Sequence, residues 1–312
     1  MRTLLGLTLC LGALLAFAGC GSGGEAIETS ATVTATAEGP AQGGGQGDGG
    51  RSGGRAPDAA KLSAELDALG ERIGAQVGAT IGPPGAPPLV LGSLRTGSAW
   101  STIKVPIALQ VIDEAGGVDG LSSEQSANIT AAITQSDNDA AAALFDDLVA
   151  SHGSVEAASQ AITDLLREAG DEKTVVATEG RDGFSSYGQT EWSLEPQQTF
   201  MGALLNGCIG ERSGRKFILA QMSQVSSDTW GLGSAGVPAL WKGGWGPGTD
   251  GKYLVRQIGR ITVGGSDYAV TLAAISGDGS FESGQSAATE VARWLVDHAA
   301  DSDRDGAEPG GC

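Results

Sequence analysis

The sequence contains few histidines, few aromatic residues and few positive charges. The two histidines, His152 and His298, lie far apart in helical patterns, so no Ser-His-Asp triad is available. Lysine and arginine number 19 against 37 acidic residues, and the resulting formal charge of −18 argues against nucleic-acid binding. The cysteines show no metal-ligand spacing. We therefore expect neither a metal nor another cofactor.

The N-terminus is predicted to be an export signal. Arg2 is followed by a leucine-rich run and by small residues before Cys20, and this run is too short for a transmembrane helix. Residues 18–20 are similar to a bacterial lipobox, although Phe17 stands where leucine is usual. The alternative is an ordinary signal peptide. We expect residues 1–19 to be removed and a lipid on Cys20 to anchor the protein to the outer face of the bacterial cell membrane.

Composition divides the remaining chain into three parts. Residues 20–57 are rich in Gly, Ser, Thr and Ala, which predicts a disordered tether behind the lipidated cysteine. Residues 58–300 suit one domain with a sizeable core. Residues 301–312 form an acidic tail that begins like a calcium-binding loop. Cys312 occupies the position where such a loop needs a bidentate glutamate, so no metal site is expected.

Two cysteines stay unassigned once the signal is removed and Cys20 carries lipid. These are Cys208 and Cys312, an even pair in an oxidising compartment. We expect them to form a disulfide.

Hydrophobic periodicity predicts both helices and strands in the domain. The predicted helices are 59–73, 101–114, 123–134, 139–150, 155–169, 194–205, 212–225 and 286–298. The predicted strands are 77–81, 89–91, 239–245, 252–263 and 268–276. The segment 174–191 is irregular. This order of elements indicates a mixed α+β domain.

A serine and a lysine three residues apart stand before a long apolar run. If a helix begins near Ser101, Ser101 and Lys104 lie on one face, and the helix N-terminus presents free N–H groups beside the serine. A serine alcohol needs a base, and a desolvated lysine can act as one. The alternative is an N-cap serine with a solvated lysine.

Two later motifs strengthen the catalytic interpretation. Residues 136–138 read Ser-Asp-Asn, and residues 242–244 read Lys-Gly-Gly. Taken singly, the first is a good helix cap and the second a glycine-rich edge strand. In this order the three motifs resemble the signature of serine β-lactamases and penicillin-binding proteins. The similarity covers residues 58–300 and looks closest to small β-lactamase-like lipoproteins of actinobacteria.

The resemblance implies a fold and a catalytic machinery. The fold would be a five-stranded antiparallel sheet with helices on both faces. Ser101 would be the nucleophile and Lys104 its base. Ser136 would pass a proton to the leaving nitrogen, and Lys242 would supply positive charge beside it and beside a substrate carboxylate.

The substrate contacts implied by the resemblance lie on the second and third motifs. Asn138 would hold the substrate amide, and Gly244 and Trp245 would border the substrate. The backbone N–H groups of Ser101 and Trp245 would form the oxyanion hole.

The chain departs from this pattern in three ways. Gly243 replaces the Thr or Ser of the third motif and removes a hydroxyl, for which Arg256 on the next strand is expected to compensate; the alternative is a solvated strand arginine. The interval from Ser101 to Ser136 is shorter than in typical class A enzymes, which predicts a reduced helical subdomain. The class A deacylation motif E-x-x-L-N is not recognisable. The glutamates in or near that region are Glu172, Glu179, Glu191 and Glu195.

Two main function classes follow from the sequence. The first is a monomeric envelope lipoprotein that acts as an acyl-serine hydrolase on β-lactams or D-Ala-D-Ala peptides of peptidoglycan. The second is a non-catalytic lipoprotein that uses the same fold to bind an envelope ligand or partner protein. A general esterase would use the same serine without needing Lys242 to recognise a carboxylate.

Overall fold

The computed structural model describes residues 59–302. The predicted signal peptide and tether lie outside the described residues, as does the acidic tail beyond Ser302. The elements in chain order are α1 Ala59–Ile73, β1 Ala75–Gly82, β2 Leu89–Gly92, α2 Lys104–Glu114, α3 Ser123–Thr134, α4 Asn138–His152, α5 Val155–Glu168, α6 Leu194–Asn206, α7 Arg212–Met222, β3 Ala239–Pro247, β4 Tyr253–Val263, β5 Ser266–Ser276 and α8 Phe281–Asp297.

The strands form one five-stranded antiparallel sheet in the order β2-β1-β5-β4-β3. Successive residues of β5 point to opposite faces. Val270 and Leu272 are fully buried in an apolar core that α1 and α8 share. Ala269 belongs to a second core, which consists mainly of α2 to α7. The predicted α+β fold with helices on both faces is confirmed.

Helix α2 begins with Lys104, directly after the turn that carries Ser101, and is buried on nearly all sides. Val105, Ile107 and Leu109 have no exposed surface, and the helix packs against α4, α5 and α7. A helix that is apolar all round belongs in the interior. Gly116 and Gly117, with φ of 75° and 108°, turn the chain away at its end. The nucleophile candidate is therefore fixed to a rigid element.

Two helix starts differ from the prediction. The predicted helix 101–114 is divided, because a 3-10 turn at Trp100–Ile103 precedes α2. Helix α8 begins at Phe281, earlier than predicted, because the Ser280 side chain caps it by accepting a hydrogen bond from the Ser283 amide. Between residues 101 and 136 the chain forms α2, a short 3-10 turn and α3. A reduction of the helical subdomain relative to class A enzymes stays a prediction.

Three further features concern the described residues alone. Cys208 is disulfide-bonded, and its expected partner Cys312 lies outside the described residues, so that pairing stays a prediction. No helix between residues 59 and 302 is long and apolar enough to cross a membrane. Within the same range, no cluster of three or more His, Cys, Asp or Glu side chains is arranged to hold a metal ion.

Candidate active site

The turn that carries Ser101 lies directly against the edge strand β3. Trp100 has φ of 48°, a left-handed conformation that is costly for a large residue. A Cβ atom on Gly244 would lie 2.8 Å from the Ser101 backbone nitrogen, and one on Gly246 would lie 2.4 Å from the Trp100 ring. Gly244 of the third motif and Gly246 after it are therefore required for β3 to pass close to the turn that carries Ser101.

Lys104 is buried beneath the Ser-Asp-Asn loop. Its side chain is 2% exposed, and Nζ donates hydrogen bonds to Ser136 O at 2.7 Å, Asp137 O at 3.1 Å and Asn138 Oδ1 at 2.8 Å. Desolvation, and next the charge of Lys242, lower the pKa of Lys104 to about 7. A large share of Lys104 is therefore neutral at neutral pH, and a neutral amine has a lone pair for a proton.

The Ser-Asp-Asn loop both caps α4 and serves the site. Ser136 has a positive φ of 58°, and Asp137 caps the helix by accepting a hydrogen bond from the Ala140 amide at 2.8 Å. Ser136 and Trp100 are the non-glycine residues with positive φ among residues 59–302. Strained backbone of this kind clusters at functional sites. Asp137 therefore caps the helix, as the alternative interpretation of the motif predicts. The Ser136 hydroxyl takes no part in this cap, and Ser136 lines the cleft.

Lys242 approaches the same hydroxyl from the opposite side. It is fully buried on β3, and Nζ donates to Ser136 Oγ at 2.7 Å and to Gly243 O at 2.7 Å. Asp228 Oδ2 lies 3.5 Å from Nζ. Burial lowers the pKa of Lys242 to about 8, although the Asp228 carboxylate raises it again in part. Lys242 is therefore mainly an ammonium at neutral pH.

Asp228 is a site residue that the sequence analysis missed. Its side chain is 1% exposed, and burial raises its pKa while Lys242 opposes that shift. Its backbone oxygen accepts from Trp241 Nε1 at 2.7 Å and from Gln257 Nε2 at 3.2 Å. No short motif surrounds Asp228, so its proximity to Lys242 arises only when the loop after α7 folds against β3.

A cleft of about 400 Å³ opens over these groups. Five predicted site residues line it, namely Ser101, Lys104, Ser136, Asn138 and Trp245. Lys242 and Gly244 lie behind this lining. Lys242 reaches the cleft through Ser136 Oγ, and Gly244 supports the Ser101 amide. An oxyanion hole made by the Ser101 and Trp245 amides is compatible with this arrangement and stays a prediction.

Arg256 does not face the cleft, contrary to the expected substrate contact. It is 1% exposed, and its guanidinium donates to Gly97 O, Ser98 O, Trp192 O and Gln197 Oε1 at 2.7 to 3.1 Å. Burial lowers its pKa to about 9. Arg256 instead ties the segment before the nucleophile to the start of α6, a structural role that its position on β4 did not reveal.

None of the four glutamates considered as deacylation base lines the cleft; they are Glu172, Glu179, Glu191 and Glu195, and all are exposed. Glu191 pairs with Ser98 in an isolated bridge, and its Oε1 accepts from Thr96 Oγ1 at 3.2 Å. Among the lining residues, the carboxylate belongs to Asp139, next to the Ser-Asp-Asn loop.

The facing wall of the cleft comes from the irregular segment before α6. Phe184 is 40% exposed and meets the Trp100 ring edge-on at a centroid distance of 5.3 Å. The Arg181 guanidinium lies 4.8 Å from the Phe184 ring centroid and donates to Pro247 O at 2.6 Å. This wall is therefore tied to the end of β3 by one arginine.

Comparison with known proteins supports the fold. No protein-family model and no curated protein sequence matches the chain. A β-lactamase structure from Sphaerobacter thermophilus has a TM-score of 0.60 at 20% identity and covers 78% of this chain and 97% of its own. A β-lactamase from Chitinophaga pinensis has a TM-score of 0.63 at 15% identity, over 77% and 99%.

An ancestral class A β-lactamase has a TM-score of 0.57 at 22% identity, covering 76% of this chain and 99% of its own. At these identities the likeness concerns the fold alone. The protein therefore has a β-lactamase-like fold, as the three motifs predict.

Proposed function

We propose that the protein is an acyl-serine hydrolase in which Ser101 is the nucleophile and Lys104 its base. The observation that carries the proposal is the environment of Lys104. It is buried one helical turn from Ser101 and has a pKa of about 7. As an ammonium, Nζ donates three hydrogen bonds to the Ser-Asp-Asn loop. Loss of one proton leaves the loop held by two donors and gives Nζ a lone pair for the Ser101 hydroxyl.

The acylation step follows from the remaining contacts. Ser101 Oγ attacks the substrate carbonyl and its proton passes to Lys104 Nζ. Ser136 Oγ delivers its proton to the leaving nitrogen and takes a replacement from the Lys242 ammonium, which donates to it at 2.7 Å. Lys104 then gives the proton from Ser101 to solvent and Lys242 regains one, so the net transfer is from Ser101 to the leaving nitrogen. The Ser101 and Trp245 amides stabilise the developing oxyanion. The product is an ester of Ser101, which water then hydrolyses.

The proposed substrates are β-lactams or acyl-D-Ala-D-Ala peptides, the classes that the three motifs suggest. Asn138 lines the cleft, which supports the proposal that its side chain contacts a substrate amide. The proposal also includes export and anchoring by a lipid on Cys20. Replacing Cys20 by Ala should move the protein from the membrane fraction to the soluble or secreted fraction. Retention in the membrane fraction would exclude the lipid anchor.

The test of the chemistry is the mass of the intact protein after incubation with a fluorescent penicillin. We expect one covalent adduct, absent from Ser101→Ala. The control is Ser126→Ala, an exchange at a serine on α3 that does not line the cleft. A folded protein that neither forms an adduct nor hydrolyses penicillin or an acyl-D-Ala-D-Ala peptide would contradict the proposal and favour a non-catalytic envelope lipoprotein.

A further inference from the structure

The Asp228 side chain lies beside Lys242, in the space that a side chain at position 243 would occupy. A Cβ atom on Gly243 would lie 2.7 Å from Asp228 Oδ2 and 2.9 Å from both Asp228 Cβ and Cγ. Separations below 3.0 Å do not occur for real Cβ atoms. Any side chain at position 243 therefore requires Asp228 to move. The space that the hydroxyl of the third motif would occupy is therefore not empty, because the Asp228 carboxylate fills it.

Asp228 has little freedom to move. Its backbone oxygen is held by Trp241 of β3 and by Gln257 of β4, the cross-strand partner of Gly243. Gln257 also donates to Trp230 O at 2.9 Å and accepts from the Leu232 amide at 2.7 Å. These contacts fix the loop at Asp228 and in the residues after it, and the Asp228 carboxylate points toward Lys242.

The charges around Lys242 explain why an acid is useful there. Lys104 approaches it from α2, and Asp228 faces it from the loop after α7. Asp137, on the Ser-Asp-Asn loop, acts mainly on Lys104. Two lysines converge on one buried loop, and the charge of Lys242 favours loss of the proton from Lys104. The Asp228 carboxylate raises the pKa of both lysines, but it also hydrogen-bonds Lys242, so Lys242 keeps its proton while Lys104 gives up its own.

We infer that Asp228 is a positioning residue for acylation, sterically coupled to Gly243, which holds Lys242 as an ammonium against Ser136 Oγ. This inference rests on the proposed function. Where the third motif usually has a hydroxyl at position 243, this chain has a glycine there and a carboxylate at position 228. Lys242 therefore keeps a polar partner. As a result, the two lysines carry different protonation states. Lys104 accepts a proton, and Lys242 supplies positive charge beside Ser136.

The first experiment measures the pH dependence of acylation by penicillin. In wild type we expect the rate to rise as Lys104 loses its proton and to fall as Lys242 loses its own. Asp228→Asn keeps the shape but removes the charge, so the alkaline limb should move by about 1–3 pH units to lower pH. Asp119→Asn, an exposed acid on the turn after α2, should leave the profile unchanged. An alkaline limb that stays in place in folded Asp228→Asn would overturn the inference.

The second experiment tests the steric coupling. Gly243→Thr should lower the melting temperature and the acylation rate. Asp228→Gly in the same chain removes the colliding Cβ and carboxylate, so the double variant Gly243→Thr/Asp228→Gly should be more stable than Gly243→Thr alone. Additive losses in the double variant would overturn the pairing. If wild type forms no adduct, the proposed function fails, and the melting temperatures of these variants still decide whether Asp228 and Gly243 are coupled.

Discussion

The two walls of the cleft are held together in different ways. The motif wall consists of Ser101, Lys104, Ser136 and Lys242. Its two lysines are 2% and 0% exposed, and their hydrogen bonds join α2 and β3 to one loop. The loop wall consists of residues 183–188, of which the first three are exposed, and it is tied to β3 through Arg181. At its other end the buried Tyr187 ring packs against Phe145 at a centroid distance of 4.9 Å. One wall is a buried polar network, and the other is a half-exposed segment held by an arginine and an aromatic contact.

The two walls differ in the groups that they offer to the two steps of the proposed reaction, which are acylation of Ser101 and hydrolysis of the acyl-enzyme. The motif wall holds the side chains that the proposed acylation of Ser101 uses, and the Trp245 amide completes the proposed oxyanion hole. The loop wall holds no carboxylate to activate water against an acyl-enzyme, since the lining carboxylate of Asp139 lies beside the Ser-Asp-Asn loop. Formation of an acyl-serine and its hydrolysis are therefore expected to differ in rate. The following predictions test that contrast.

The largest effect should come from removing the base on the motif wall. Lys104→Met should lower the acylation rate about 10²–10⁴-fold, because general-base assistance is lost. In wild type the rate should rise with pH through about 7, since only the neutral amine of Lys104 accepts the serine proton. Stopped-flow acylation across pH measures both. Lys216→Met, at an exposed lysine on α7, is the control and should show no change. A pH-independent wild-type rate would contradict the base role.

Deacylation should be slow relative to acylation, so penicillin should accumulate as an adduct on Ser101. The missing water-activating carboxylate corresponds to a factor of about 10²–10⁴. Ser185→Glu would place a carboxylate on the loop wall, where Ser185 lines the cleft, and it should release the adduct faster than Ser185→Gln. Mass spectrometry of the adduct over time gives the rate. Rapid wild-type turnover would show that another base acts.

Arg256 tests whether the motif wall depends on the structure behind it. Arg256→Met leaves several buried carbonyl oxygens without a donor and should lower the free energy of unfolding by about 2–3 kcal/mol or more. Urea unfolding measures this loss. Arg260→Met, on the same strand but partly exposed, should cost much less. Equal losses in the two variants would contradict the bracing role of Arg256.

The smallest effect should come from the tie of the loop wall. Arg181→Gln removes cation–π contacts with the Trp100 and Phe184 rings, each worth about 0.5–1 kcal/mol, and weakens the hydrogen bonds to Gln189 Oε1 and Pro247 O. We expect faster amide hydrogen exchange in residues 180–189 and only a few-fold change in acylation. Arg212→Gln, an exposed arginine at the start of α7, serves as control. Unchanged exchange would mean that other contacts hold the loop.

The cleft residues of the motif wall were predictable because each lies in a short motif with local meaning. Ser101 and Lys104 share a helical face, and Ser136 lies at a helix cap. Asp228 was not predictable from the sequence. It stands 14 positions before Lys242, and it meets that lysine only because the loop that carries it folds onto the edge strand β3. Arg256 was placed on the correct strand but in the wrong role, because sequence position does not show what surrounds a buried guanidinium.

The sequence by itself determined the alternation of helices and strands, the three motifs and the order in which they occur. Periodicity and capping act over a few residues, so they can be read from the chain directly. Only the tertiary structure decided which charges meet. Lys104, Lys242 and Asp228 come from three separate elements, and their protonation depends on burial and on distances of a few ångströms. Desolvation and charge proximity exist only after the sheet and helices have packed.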